Sequence, residues 1–119
     1  MLRGVPRWMK NALPALALLA TSLGCRYQAA SDACYAILET YGARLVECGY
    51  FATQAEAEAA IISAWEMAEG LPIQCDTSPV GVRDEAQLYD ECIPALMRLD
   101  CATADVGPPS CDRQIVYRR

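Results

Sequence analysis

Seven cysteines and no histidine constrain this chain more than any other feature. They stand at positions 25, 34, 48, 75, 92, 101 and 111, and from Cys34 onward the intervals are 14, 27, 17, 9 and 10 residues. Zinc sites need ligands paired at short spacing, or histidine partners, so this pattern calls for no metal. A C-x-x-C element is missing, and with it the usual basis for dithiol redox chemistry. The remaining role is crosslinking, which belongs to an oxidising compartment where thiols pair. With 119 residues the chain makes one small domain, and crosslinks would supply a large share of its stability.

An odd cysteine count needs a separate explanation, and the N-terminus offers one. Arg3, Arg7 and Lys10 precede an apolar run, Ala12 to Leu23, that is shorter than the roughly 20 residues a membrane-spanning helix requires. A basic start followed by a short apolar core is an export signal. The run ends Ser22-Leu23-Gly24-Cys25, which resembles the lipobox of bacterial lipoproteins at Gly24 and Cys25 and departs from it at Ser22, where leucine is preferred. The resemblance implies a diacylglycerol thioether on Cys25, removal of residues 1–24, and, with Arg26 rather than aspartate next, passage to the outer membrane. Lipidation of Cys25 leaves an even six: Cys34, Cys48, Cys75, Cys92, Cys101 and Cys111. The alternative is ordinary signal cleavage after Ala20 or Gly24, which gives a secreted or periplasmic protein.

From Cys25 onward seven basic and fifteen acidic residues remain, a formal net charge of −8. Nucleic acid demands a basic stripe, so it is excluded as a partner. Lysine is absent after Lys10, which removes Schiff-base and Ser-Lys chemistry. Ser31, Ser63, Ser78 and Ser110 have no histidine to activate them. The acidic pairs Glu56/Glu58, Asp84/Glu85 and Asp90/Glu91 read as solvated helix faces. No cofactor motif is present, and the chain is not expected to be an enzyme.

The expected fold is all-α, a disulfide-stapled bundle of three to four helices over 31–113, joined to Cys25 by a linker at 25–30 and followed by a tail at 114–119. Helix one is placed from an N-cap at Ser31 to a stop at Gly49, with Cys34, Leu38, Tyr41, Leu45 and Cys48 on its apolar stripe. Helix two opens on the capping box Thr53-Gln54-Ala55-Glu56, carries Ala57, Ile61, Ala64, Trp65 and Ala68, and stops at Gly70 and Pro72. Residues 70–83 read as a loop around Cys75. Helix three starts near Asp84, carries Leu88, Cys92, Ala95, Leu96 and Leu99, and is kinked or restarted by Pro94. Tyr41 and Trp65 are assigned to the core, whereas Tyr35, Tyr50, Phe51 and Tyr89 are candidates for an apolar surface.

Six cysteines allow fifteen pairings. Fourteen residues on one helix span about 21 Å, against a limit of about 7 Å between paired Cα atoms, so Cys34 and Cys48 cannot join. Cys92 and Cys101 are a poor pair unless Pro94 breaks the helix sharply. An up-down-up path favours Cys34 with Cys75, and Cys48 with Cys92 or Cys101.

Taken whole, the Gly24-Cys25 junction, Glu47-Cys48-Gly49, Glu91-Cys92-Ile93-Pro94-Ala95-Leu96, Leu99-Asp100-Cys101 and Pro109-Ser110-Cys111 resemble small cysteine-rich lipoproteins of myxobacterial type. The resemblance implies an envelope location and a stapled helical domain, but no activity and no catalytic residue. The leading expectation is a non-catalytic cell-envelope lipoprotein, held to the membrane through Cys25, that binds an envelope protein or serves structurally. The alternative is a secreted or periplasmic carrier of a small apolar ligand, since the spacing of Cys92, Cys101 and Cys111 resembles that of insect odorant-binding proteins. An enzyme working with carboxylates alone ranks last.

Overall fold

A computed structural model describes residues 7–119, with side chains from Cys25 onward. The basic start and apolar run that suggest an export signal, 1–24, therefore lie outside the residues described in full. The order is α1 (Arg7–Glu47), α2 (Gln54–Glu69), β1 (Pro79–Val82), α3 (Glu85–Gln87), a π-turn (Leu88–Cys92), α4 (Ile93–Met97), 3₁₀ turns at Cys101–Thr103 and Pro109–Cys111, and β2 (Ile115–Tyr117). The chain is helix-rich and stapled by three disulfides, but it is not all-α, because β1 and β2 form an antiparallel pair.

Helix α1 is the post against which the rest packs. Ala30, Ala33, Cys34, Ile37, Leu38 and Leu45 recur at three- and four-residue spacing and are all buried. Ser31 does not start the helix. Residues 25–41 contain neither glycine nor proline, and an N-cap worth about 1 kcal/mol cannot end a helix whose preceding turn is itself helix-forming and buries Ala30 completely. Asp32 instead accepts a hydrogen bond from Gln28 one turn earlier, at 2.8 Å. Residues 25–30 are thus helix, not linker. At the other end Gly49 takes φ +82°, with Gly49 N–H bonded to Val46 O and Tyr50 N–H to Leu45 O, both 3.0 Å, which is a Schellman stop.

Helix α2 is capped as expected: Thr53 Oγ1 accepts from Glu56 N at 3.2 Å, and Gly70 closes the helix at φ +71°. Only Ala57 and Ile61 are buried along it, while Ala64 and Ala68 are exposed. At Gly42, the added Cβ of any other residue would come within 2.7 Å of Gln54 Nε2, so this glycine lets the start of α2 approach α1 closely.

The third helix is one run in three parts. Asp84 caps it by accepting from Gln87 N at 3.0 Å, and Ile93 N–H reaches back to Leu88 O, five residues earlier. That widened turn is where the chain accommodates Pro94, which lacks an amide donor and would crowd the preceding turn of a regular helix. The stripe Leu88, Cys92 and Leu96 is at most 1% exposed.

The region expected to be a loop holds β1, and the expected tail holds β2, in register Pro79↔Tyr117, Gly81↔Val116 and Val82↔Ile115, with an irregularity between Pro79 and Gly81. Two strands this short are not stable alone and form because α1 supplies a surface for them. Ile115 belongs to the core, so the fold extends past the expected boundary at 113. Gln114, 1% exposed, anchors this return: its Nε2 donates to Gln87 Oε1 (2.7 Å) and Ser110 O (3.0 Å), and its Oε1 accepts from Asp84 N (3.1 Å).

The disulfides are Cys34–Cys75, Cys48–Cys101 and Cys92–Cys111, with Cα separations of 5.4, 5.2 and 4.8 Å. The pairing favoured for Cys34, and one of the two favoured for Cys48, are those formed. The three loops interleave, each opening before the previous one closes, so every element from Cys34 to Cys111 is tied to the next.

Candidate functional site

Two features stand apart from the packing. The first is Cys25, exposed on α1 and unpaired, five residues ahead of the first buried position, Ala30. The other six cysteines are all consumed in disulfides. Three disulfides mark an oxidising, extracytoplasmic environment. No helix among the described residues is long and apolar enough to cross a membrane.

The second feature is a recess of about 290 Å³ between α1, α2 and the C-terminal segment. Ile37, Trp65, Leu96 and Ile115 form its apolar surface, while Glu69, Asp105, Asp112 and Arg113 supply charge. A second hollow of about 210 Å³ adjoins it and adds Leu45, Tyr50, Phe51 and Ile61. Tyr41, Ala64, Trp65 and Asp105 line both. The site exists because the 101–105 segment is held over α1: Tyr41 Oη donates to Ala104 O and Tyr50 Oη to Cys101 O, each at 2.7 Å, beside the Cys48–Cys101 bridge. The small side chains of Ala64 and Ala68 on α2 leave the space that a larger residue would fill.

Tyr41 and Trp65, expected in the core, are half-buried and line the recess. Of the four aromatics expected to form a surface, Tyr50 and Phe51 do reach the site. Tyr35 instead bonds Asp76 at 2.7 Å, and Tyr89 stands 42% exposed near Asp32 and Glu85. Of the acids read as solvated helix faces, Asp84 caps the third helix and Glu58 accepts from Gln54 Nε2 at the surface (2.7 Å), while outside those pairs Glu66 Oε2 accepts from Ile73 N (3.0 Å) and Glu69 pairs with Arg119. Among the described residues no group of three or more acids and cysteines is arranged to hold a metal. The lining offers shape and charge rather than a nucleophile paired with a base.

Tyr117 borders the recess, and burial, with Glu69 adding, pushes its hydroxyl from 10.0 up to about 12. A folded-state pKa above the unfolded one makes a contribution to stability that is whole below pH 10 and is lost as pH rises through 12. In an ultraviolet titration of tyrosinate, the native protein should therefore retain at least one un-ionised tyrosine at pH 11 that the denatured chain ionises with the others. Replacing Tyr117 by phenylalanine should remove the latest part of that step, leaving the upward shifts that a hydrogen bond to Asp76 gives Tyr35 and that burial and nearby carboxylates give Tyr41 and Tyr89.

No family model matches the chain, and no curated protein and no solved structure matches it either.

Proposed function

We propose that the protein is a non-catalytic lipoprotein of the cell envelope, anchored through a lipid on Cys25, whose stapled domain binds an envelope protein or serves structurally at the membrane surface. The observation that carries this reading is the cysteine inventory. Six pair with one another, and the seventh is exposed directly behind Gly24 and the apolar run. The acidic surface, the missing histidine and the lack of any lysine after Lys10 favour a role without chemistry. An outer-membrane location follows from Arg26 in place of aspartate. With Ala30 buried five residues beyond Cys25, about 7.5 Å by the helical rise, an anchored domain would lie close against the bilayer.

Intact mass of the protein from native membranes tests it. The expected mass is that of Cys25 to Arg119 plus a lipid moiety and less six hydrogens. An unlipidated mass would overturn anchoring and leave the second reading, a secreted or periplasmic carrier of a small apolar ligand, which the recess favours.

A further inference from the structure

The recess has a charge pattern that its apolar floor does not require. Tyr41, Trp65 and Asp105 are shared by both hollows, so two aromatic side chains and a carboxylate line the same recess. Glu69 is neutralised by Arg119, whereas among the described residues Asp105 takes part in no ion pair. Burial pushes the Tyr41 hydroxyl above its ordinary value, and the nearby charge of Asp105 adds to the shift. That hydroxyl is committed to Ala104 O, so the ring is held in place and the carboxylate remains open to solvent and to a ligand.

From this geometry we infer that the recess binds an organic cation, an ammonium group joined to an apolar body. The cation sits at Asp105 beside the faces of Tyr41 and Trp65. Aromatic rings attract cations through their quadrupole, and a carboxylate next to them adds a full opposite charge. The apolar body enters the hollow of Ile37, Leu96 and Ile115, or the adjoining one of Leu45, Phe51 and Ile61. The net charge of −8 from Cys25 onward raises the local concentration of cations and disfavours anions. Arg113, in the recess wall, carries the one opposing charge that no described ion pair neutralises, and its neighbour Asp112 in the same wall offsets it. The inference is independent of whether Cys25 carries lipid.

The test is calorimetric titration of the oxidised protein with benzyltrimethylammonium and with neopentylbenzene, its uncharged isostere. Saturable binding of the cation is expected, about tenfold tighter than that of the isostere, weakening with added salt. Asp105→Asn, an exposed change that removes no side-chain hydrogen bond, should bring the cation down to the level of the isostere, while Glu91→Gln on the far helix should not. Circular dichroism establishes that both variants are folded. Equal binding of cation and isostere would overturn the proposal and leave an apolar pocket, as would undiminished cation binding by Asp105→Asn or no saturable binding at all.

Discussion

Replacing Cys34 and Cys75 together by alanine should lower the unfolding free energy by about 4 kcal/mol, read from urea denaturation at constant protein concentration. The bridge closes a separation of 41 residues, and the chain-entropy account of crosslinking assigns a loop of that size about 4 kcal/mol. Both cysteines are at most 4% exposed, so the lost sulfurs also leave a void beside Ile37 and Leu38, which adds to the cost. Cys92–Cys111 closes only 19 residues and should cost about 3 kcal/mol when removed in the same way. The ordering is the sharper test: a larger loss from the shorter loop would contradict the entropic account. Reduction of all three removes a sum comparable with the whole stability of an ordinary small domain, so the reduced chain should lose its cooperative unfolding transition altogether.

Gln114→Leu is expected to cost about 3 kcal/mol, although the two side chains are similar in size. The substitution leaves Asp84 N and Ser110 O without the partner that satisfies them, and takes from Gln87 Oε1 one of its two donors, Arg83 Nη2 being the other, in a site that is 1% exposed. Those three groups belong to the cap of α3, its last residue and the final 3₁₀ turn. Their release should therefore loosen β2 as well as the helix start, and amide exchange at Arg83, whose N–H bonds Gln114 O at 2.7 Å, should speed up. Gln74→Leu, at an exposed position, is the control and should change stability by less than about 0.5 kcal/mol. A cost below about 1 kcal/mol at Gln114 would mean that water replaces the clamp.

Much of the helical layout could be read from local chemistry. Thr53 with Glu56, Gly49, Gly70 and Asp84 mark real helix ends, because caps and left-handed stops depend on a few neighbouring residues. The stripes through Leu38 and Leu45, and through Leu88, Cys92 and Leu96, follow from helical spacing alone. Ser31 misled for the same reason: it has the chemistry of a cap but sits inside a run that packing and propensity both keep helical. The strands were hidden because Pro79-Val80-Gly81-Val82 carries two residues that disfavour strands, and its partner is three residues long and more than thirty positions away.

The candidate site was only partly legible. Tyr41 and Trp65 fall on apolar stripes, where spacing cannot tell a core residue from one lining a recess. Asp105 and Arg113 lie in irregular segments with no period to read.

By itself, the sequence determined that the six cysteines from Cys34 onward have no zinc or dithiol spacing, that Cys34 and Cys48 cannot join, that the surface is acidic, and where most helices stop. Tertiary structure alone decided that Cys92 joins Cys111, that 115–117 returns as a strand, and that Asp105 lines one recess with Tyr41 and Trp65. The division is physical: caps, propensity and charge are properties of neighbours along the chain. A disulfide partner, a two-stranded sheet and a recess depend on closing long loops, and those loops close only when a buried post such as α1 repays the entropy they lose.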